Sequence, residues 1–278
     1  MTYRELIRCT AKRFQTAGIP DPENDAALLL SHLTGKPALE LRLDAVTEPN
    51  PHMLSAYCEL AENRLKHIPL QYILGEAPFY GRMFKVDARV LIPRPETALL
   101  CEWALDTLRN SSSPRVLDLC CGSGCIGLTI KAERPDADVT LSDVSSDALN
   151  VSAVNAVRLS LDVSVKQSDL FQDLSGALFD LIISNPPYIR SSDCDTLQPE
   201  VMKEPRLALD GGTDGCDLYR RIIRESGSVL VPGGMLMMEM GVHESDILSD
   251  MLSNHGYTGI QIRKDYAGID RMILATLP

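Results

Sequence analysis

Residues 116–127 read Val-Leu-Asp-Leu-Cys-Cys-Gly-Ser-Gly-Cys-Ile-Gly. This order of an apolar run and closely spaced glycines predicts a buried strand, a tight turn and the start of a helix. Gly122 and Gly124 allow the backbone to approach a ligand, and Gly127 allows the helix to pack close to the strand. Because no Gly-Lys-Ser or Gly-Lys-Thr follows, the turn differs from the loop that holds nucleoside triphosphates.

The chain from Arg115 onward alternates between strand and helix patterns, which is typical of a parallel sheet with helices on both faces. The last two apolar runs are joined by a short loop containing Gly268, and they predict a hairpin that adds an antiparallel strand at the end. The sequence therefore predicts an α/β fold with a Rossmann-like sheet. Its seven strands are expected near residues 116–119, 139–141, 163–165, 180–184, 235–240, 259–263 and 271–276.

Two further regions precede the sheet. Residues 1–75 show repeated helix-start patterns, including a capping-box pair at Thr2 and Glu5, and predict a small helical bundle. Residues 76–92 have strand composition interrupted by a glycine, and they predict a β-hairpin linker. We expect residues 93–278 to form the sheet domain.

Composition limits the classes of function. The net charge is −11, and residues 1–75 hold eight Lys and Arg against nine Asp and Glu, so residues 76–278 carry nearly all of it. A protein that tracks a phosphate backbone usually has a basic face, so no stable nucleic-acid binding is expected. The eight cysteines form no disulfide or zinc-binding pattern, and no run is apolar enough to span a membrane. We therefore expect a cytoplasmic protein with reduced thiols, no membrane partner and no metal.

Acidic residues follow the ends of three predicted strands. Asp143 is placed to accept hydrogen bonds from the ribose hydroxyls of an adenosine, as in NAD and in S-adenosylmethionine. Asp118, before the glycine turn, repels a pyrophosphate and suits a ligand with an ammonium and a sulfonium, which favours S-adenosylmethionine. Asp169 and Leu170 would flank the adenine. Two alternatives stay open, in which Asp118 only caps backbone amides and Asp169 is only a turn residue.

A proline-rich run, Asn185-Pro186-Pro187-Tyr188, follows the apolar stretch 179–183. The prolines fix φ and remove two amide donors, which leaves backbone carbonyls free to face a site. Asn185 adds a side-chain carbonyl, and Tyr188 adds a flat face with a polar tip. Such a bend can hold a planar NH2 group by its two hydrogens, although an ordinary turn can have the same composition.

Together, these acidic residues, the glycine turn and the Asn185–Tyr188 run resemble the class I S-adenosylmethionine-dependent methyltransferases that act on planar amino or amide nitrogens. The runs Ile92–Thr97 and Glu204–Gly215 narrow the resemblance to the peptide chain release factor glutamine methyltransferases (HemK/PrmC type). The resemblance covers nearly the whole chain. One departure is Cys120-Cys121, where relatives commonly have small residues such as Gly or Thr.

The resemblance implies methyl transfer from S-adenosylmethionine to the side-chain amide nitrogen (N5) of the glutamine in the Gly-Gly-Gln motif of class 1 release factors, with S-adenosylhomocysteine as product. Asn185, Pro186 and Tyr188 are then the expected catalytic residues, because the Asn185 side chain and the Pro186 carbonyl accept the amide hydrogens while Tyr188 bounds the amide. The expected cofactor-binding residues are Asp118, Cys120, Cys121, Gly122, Ser123, Gly124, Asp143, Asp169, Leu170 and Asn185.

Pro187, Arg94 and Glu96 are also expected at the substrate, with ordering of the linker against the cofactor site as the favoured role of the last two. The long connection 189–216 predicts a lid or a wall of the substrate site. The helical bundle is the natural candidate to bind the release factor, and nothing in the sequence demands more than a monomer.

Three alternatives remain at this point. A DNA adenine methyltransferase shares the bend and the cofactor loop, but it needs a basic surface to hold a duplex. A ribosomal-protein glutamine methyltransferase is a closer relative, whose linker run ends differently from Arg-Pro-Glu-Thr. A non-catalytic scaffold that keeps the fold is disfavoured by the intact bend and by Asp143.

Overall fold

The computed structural model describes residues 1–278, as ten α-helices, three short 3-10 helices and nine strands. The chain groups into two compact units. The first comprises Met1–Glu76 and Gln198–Lys203, and the second comprises Ala77–Leu197 and Glu204–Pro278. The segment 198–203 comes from the long connection that the sequence places in the sheet domain.

The first unit is a helical bundle. Its helices are α1 (Tyr3–Thr16), α2 (Pro22–Thr34), α3 (Ala38–Leu43), α4 (Pro51–Leu65) and α5 (Leu70–Leu74). The predicted capping box is present at the start of α1, where the Thr2 hydroxyl accepts from the Glu5 amide and the Glu5 carboxylate accepts from the Thr2 amide. Phe14, Leu30 and Tyr57 are fully buried in its core. Burial of these large side chains stabilises a bundle whose individual helices are short.

Charged side chains tie one piece of the long connection into this bundle. The guanidinium of Arg64, itself buried, donates to Asp25 at 2.8 Å and to Glu200 at 2.9 Å. Glu200 also lies 3.0 Å from the Nδ1 of His67. A buried guanidinium needs such partners, because an unpaired buried charge is costly.

The second unit begins with a hairpin and continues as an α/β fold. The hairpin strands β1 (Glu76–Phe79) and β2 (Arg82–Lys85) meet at Tyr80 and Gly81, both of which have positive φ. The remaining helices are α6 (Thr97–Thr107), α7 (Cys125–Glu133), α8 (Ser146–Leu159), α9 (Asp217–Ser226) and α10 (Ser245–Asn254). The remaining strands are β3 (Arg115–Leu119), β4 (Asp138–Asp143), β5 (Ser164–Gln167), β6 (Phe179–Ser184), β7 (Leu230–Glu239), β8 (Thr258–Lys264) and β9 (Asp270–Thr276).

These seven strands form one sheet in the order β5-β4-β3-β6-β7-β9-β8. The first five strands in this order run parallel to one another, and β9 runs antiparallel to both β7 and β8. The predicted α/β fold with a seven-stranded sheet and a terminal antiparallel hairpin is therefore confirmed. No helix combines the length and the apolar character that crossing a bilayer requires.

The sheet order decides where a site can form. From β3 the chain moves outward to β4 and β5 on one side, and it then returns to β6 on the other side. The loops after β3 and β6 therefore diverge at a topological switch point, where α/β sheets bind ligands. Leu119 and Ser184 are register partners, and the Ser184 hydroxyl donates to the Leu119 carbonyl at 2.7 Å. This pairing brings Cys120 and Asn185, the next residues of each chain segment, to the same edge.

Candidate active site

A cavity lies at this edge of the sheet, and most of the predicted cofactor residues line it. They are Cys120, Cys121, Gly122, Ser123, Asp143, Asp169, Leu170 and Asn185. Asp118 and Gly124 do not line the cavity. Of the residues expected at the substrate, Asn185, Pro187 and Arg94 line it, whereas Pro186, Tyr188 and Glu96 do not.

The glycine turn is shaped by the residues beneath it. The Asp118 side chain is fully buried, and its Oδ2 accepts the Gly127 amide at 2.8 Å. A Cβ on Gly127 would collide with the Leu141 side chain and would lie 2.9 Å from the Asp118 Cβ. The other carboxylate oxygen of Asp118 has no hydrogen-bond partner in the protein. Burial raises the pKa of Asp118 to about 7, opposed by the Gly127 amide. Asp118 thus makes the backbone-capping contact that the alternative interpretation of its role required.

Asp143 holds the turn from the neighbouring strand. Its Oδ2 accepts the Gly122 amide at 2.9 Å, and its Oδ1 accepts the Ser145 amide at 2.9 Å. Burial raises the pKa of Asp143, although backbone hydrogen bonds, the largest from Ser145, oppose that shift. A carboxylate has about four acceptor positions, so Asp143 can accept further hydrogen bonds from a ligand in the cavity.

Asp169 lies farther along the same wall. Its Oδ1 pairs with the guanidinium of Arg221 at 2.9 Å, and its Oδ2 accepts from Gln172 at 3.3 Å. Leu170 follows with a φ of 53°, an uncommon conformation for a leucine, and lines the cavity. Residues held in rare backbone conformations often occur at ligand sites.

The proline-rich bend presents its two ends differently. Asn185 is half-buried and lines the cavity, and its Nδ2 donates to the Thr97 hydroxyl at 3.3 Å. Tyr188 packs against the apolar core on one face of the sheet, and burial raises its pKa to about 12. The expected contact of Tyr188 with a substrate amide therefore stays a prediction, because this side chain faces the core rather than the cavity.

Glu204 fastens the linker to the long connection. Its side chain is 2% exposed, and its two oxygens accept from the Ile92 amide at 3.0 Å and from the Arg94 guanidinium at 2.6 Å. These contacts join the run Ile92–Thr97 to the long connection, and the ordering role expected of Arg94 stays a prediction. Glu96 is exposed and lies at the start of α6.

The cysteines of the cavity wall are thiols whose pKa values are raised by burial. Burial raises the pKa of Cys120 and Cys121 well above the usual range of a thiol, and it raises the pKa of Cys125 to about 12. These side chains therefore act as small apolar groups. Cys120 has a φ of 59°, whereas Cys121 does not have a positive φ.

Several lining residues were not assigned a role from the sequence. They include Arg89, Thr97, Ser145, Leu207, Asp210 and Leu218. Thr97 and Leu207 belong to the runs Ile92–Thr97 and Glu204–Gly215. These runs narrow the family resemblance, and that property could have indicated that their residues lie at the site. Leu207 is also 60% exposed, and an exposed leucine in a long connection near a cavity is a further indication of a binding surface.

Residues 97–212 match the family model of the methyltransferase small domain, and residues 5–75 match that of the PrmC N-terminal domain. Among solved structures, the T. thermophilus 16S rRNA N2 G1207 methyltransferase in complex with AdoMet and guanosine shares the fold. Its TM-score is 0.54 at 19% identity, over 73% of this chain and 50% of that chain. The fold and the site together define a class I methyltransferase.

Two relatives of known function are more similar. The release factor glutamine methyltransferase of Deinococcus radiodurans is 38% identical over 275 residues, which cover 99% of this chain and 98% of that protein. The same enzyme of Clostridium acetobutylicum is 39% identical over 256 residues, 90% of each chain. The chain belongs to the release factor glutamine methyltransferase family. The resemblance and the enzyme class that the sequence predicts are therefore confirmed.

Proposed function

We propose that this protein transfers the methyl group of S-adenosylmethionine to the side-chain amide nitrogen of the glutamine in the Gly-Gly-Gln motif of class 1 release factors. The observation that carries the proposal is the position of Asn185, which lines the same cavity as the glycine turn and Asp143. An acceptor for an amide hydrogen and a site for an adenosine ligand thus share one edge of the sheet.

The donors and acceptors of the cavity suit a neutral or positively charged nucleoside ligand. Asp143 and Asp169 present carboxylates, and no lysine lines the wall. The two arginines at the cavity already have acidic partners, because Arg89 pairs with Asp87 and Arg94 pairs with Glu204. A polyphosphate would meet the Asp143 carboxylate and no free cation, since Asp169 is paired with Arg221. A sulfonium ligand is favoured by such an unpaired carboxylate. The residues that line the cavity therefore fit S-adenosylmethionine. Asp118, whose pKa is raised to about 7 by burial, contributes only part of a negative charge at neutral pH.

The main contribution of the protein to the reaction is to position the substrate amide. When bound, S-adenosylmethionine supplies a methyl carbon that is activated by its positively charged sulfur. An amide nitrogen is a weak nucleophile, so its orientation matters more than a strong base. The Asn185 side-chain oxygen and the Pro186 backbone carbonyl accept the two hydrogens of the glutamine amide, and both oxygens favour the positive charge that develops on the nitrogen.

The test is a methylation assay with labelled S-adenosylmethionine and three substrates: a class 1 release factor, the same factor with its Gly-Gly-Gln glutamine replaced by glutamate, and duplex DNA. Label in the first alone, with mass spectrometry placing a 14-dalton increment (one CH2) on that glutamine, is the expected result. Label in DNA, or in the glutamate variant at the same rate, contradicts the proposal.

The helical unit would supply the binding surface for the release factor. On its surface, Leu39 and Leu43 are 68% and 64% exposed, and they lie four residues apart on α3, followed by Val46 at 86%. Contiguous exposed apolar side chains are typical of a protein-binding surface. The double substitution Leu39→Glu with Leu43→Glu should raise KM for the release factor about tenfold and leave affinity for the cofactor unchanged. An unchanged KM would remove this surface from the proposal.

A further inference from the structure

Three polar side chains connect the bend to the interior of the sheet unit. Glu239, at the end of β7, is 2% exposed, and its Oε2 accepts from the Thr97 hydroxyl at 2.7 Å. The same Thr97 oxygen accepts from the Nδ2 of Asn185 at 3.3 Å, and the Asn185 side chain also donates directly to the Glu239 carboxylate. Thr97 and Asn185 both line the cavity, and Asn185 is the more exposed of the two, since Thr97 is 2% exposed.

The direction of these hydrogen bonds selects one orientation of the asparagine amide. A threonine hydroxyl has a single hydrogen, and here that hydrogen is donated to Glu239. Only lone pairs then remain on the Thr97 oxygen, and these can accept from the NH2 end of Asn185 but not from its carbonyl end. The carbonyl oxygen of Asn185 is consequently directed away from Thr97. A flipped amide would place two acceptors against each other and lose the contact.

We propose that Thr97 and Glu239 are positioning residues that set which end of the Asn185 amide faces the substrate. The inference rests on the proposed function of Asn185 as an acceptor for the glutamine amide. An ionised Glu239 can only accept, so it holds the chain in the direction observed. A protonated Glu239 can donate to Thr97, whose hydroxyl is then free to donate to the Asn185 oxygen. In that state the Asn185 NH2 faces the cavity and opposes the hydrogens of the substrate amide.

The surroundings of Glu239 place the change between its ionised and protonated forms near neutral pH. Burial raises the pKa of Glu239 to about 7, opposed by the hydrogen bond from Thr97, by Arg271 and by the hydrogen bond from Asn185. The titratable and charged groups around it are Glu96 at the start of α6, Cys101 of α6, Cys125 of α7, Tyr188 after the bend, Tyr219 of α9 and Arg271 of β9. Arg271 is the cation of this set and favours ionisation, whereas Glu96 opposes it. The turnover rate should therefore rise with pH through the range near 7.

The experiment measures kcat at saturating S-adenosylmethionine and release factor, between pH 5.5 and 9. Thr97→Val keeps the shape of the side chain and removes the hydroxyl, and it should lower kcat at pH 8 about 10- to 100-fold. Thr97→Ser restores the hydroxyl and should recover most of that loss. Thr107→Val, at the other end of the same helix, is the matched control and should behave as the wild type. Glu239→Gln should lower kcat at pH 8 and remove the rise of kcat with pH.

Each result supports or contradicts a stated part of the proposal. If Thr97→Val stays within threefold of the wild type, the positioning role of Thr97 is wrong. If Glu239→Gln keeps the rise with pH, the positioning role of Glu239 is wrong. A merely structural role would lower stability without removing that rise. If Glu239→Gln fails to fold, the comparison of Thr97→Val with Thr97→Ser still decides the proposal. Asn185→Ala distinguishes failure of the proposed function from failure of the positioning role. Full activity in that variant overturns the proposed function itself. An inactive Asn185→Ala together with a normal Thr97→Val overturns only the positioning role of Thr97.

Discussion

The loop after β3 and the bend after β6 lie side by side, yet they work by opposite means. The loop depends on the side chains it lacks, because Gly122 and Gly124 have positive φ and a Cβ on Gly127 would collide with the strand below. The bend is useful for the side chain it presents, because the prolines stiffen the chain around Asn185. We therefore expect changes in the loop to affect cofactor affinity and stability, and changes in the bend to affect turnover.

The largest effect is expected at the bend. Asn185→Ala removes one of the two proposed acceptors for the substrate amide, and it should lower kcat about 10²- to 10³-fold. Affinity for S-adenosylmethionine, measured by calorimetry, should stay within a few fold. Asn150→Ala, at an exposed position of α8, is the control. If Asn185→Ala also loses cofactor affinity, the bend does not act on turnover alone, and the assignment of separate roles to the loop and the bend is wrong.

The loop should respond to the addition of a single methyl group. In Gly127→Ala, the new Cβ collides with Leu141 and presses on Asp118. The free energy of unfolding should fall by about 1–3 kcal/mol in denaturant titrations, and cofactor affinity should fall about tenfold as the turn shifts. Gly227→Ala is the matched control, since its φ is −61° and its Cβ would lie 3.8 Å from Leu277. Equal stability of the two variants would contradict the packing argument.

The buried carboxyl beneath the loop predicts a dependence of stability on pH. The folded pKa of Asp118, about 7, lies above the ordinary value of 3.8, so the folded state prefers the protonated form. Its contribution is fully present below about pH 4 and is lost as the pH rises to 7. In the absence of cofactor, the Tm of the wild type should fall between pH 5 and pH 8 by about 5–10 °C more than that of Asp118→Asn, since about two pH units of linkage correspond to about 2.7 kcal/mol. Parallel curves would show that Asp118 is not protonated in the folded protein.

The smallest effect is expected at Cys120, the first of the two adjacent cysteines. Cys120 has a positive φ, which costs a non-glycine residue about 1–2 kcal/mol, so Cys120→Gly should change stability by less than about 1 kcal/mol after the entropy cost of glycine. Cys121 is 6% exposed and packs in the core, so Cys121→Gly should be destabilising by about 1–3 kcal/mol. Thermal unfolding of the two variants makes the comparison, and a greater loss for Cys120→Gly would contradict it.

The sequence predicted the parts of the site that are local. A polar residue at the carboxyl end of a parallel strand lies at the same edge of the sheet as its counterparts, and Asp143, Asp169 and Asn185 all line the cavity there. Their roles toward cofactor and substrate stay predictions. Which face a side chain takes after a bend depends on packing, and Tyr188 is drawn to the core rather than to the cavity. The pairing of Thr97 with Glu239 spans 142 residues, and Glu239 lies at the end of an otherwise apolar strand. Nothing in the local pattern distinguishes such a glutamate until the topology places it beside α6.

The most direct test of the central claim is a crystal structure of the enzyme with S-adenosylhomocysteine and a Gly-Gly-Gln peptide. The account predicts that the amide nitrogen of the glutamine lies within about 3.2 Å of both the Asn185 Oδ1 and the Pro186 carbonyl oxygen, with the Asn185 NH2 still on Thr97. A glutamine amide held elsewhere in the cavity, or an Asn185 that turns its NH2 toward the peptide, would contradict it.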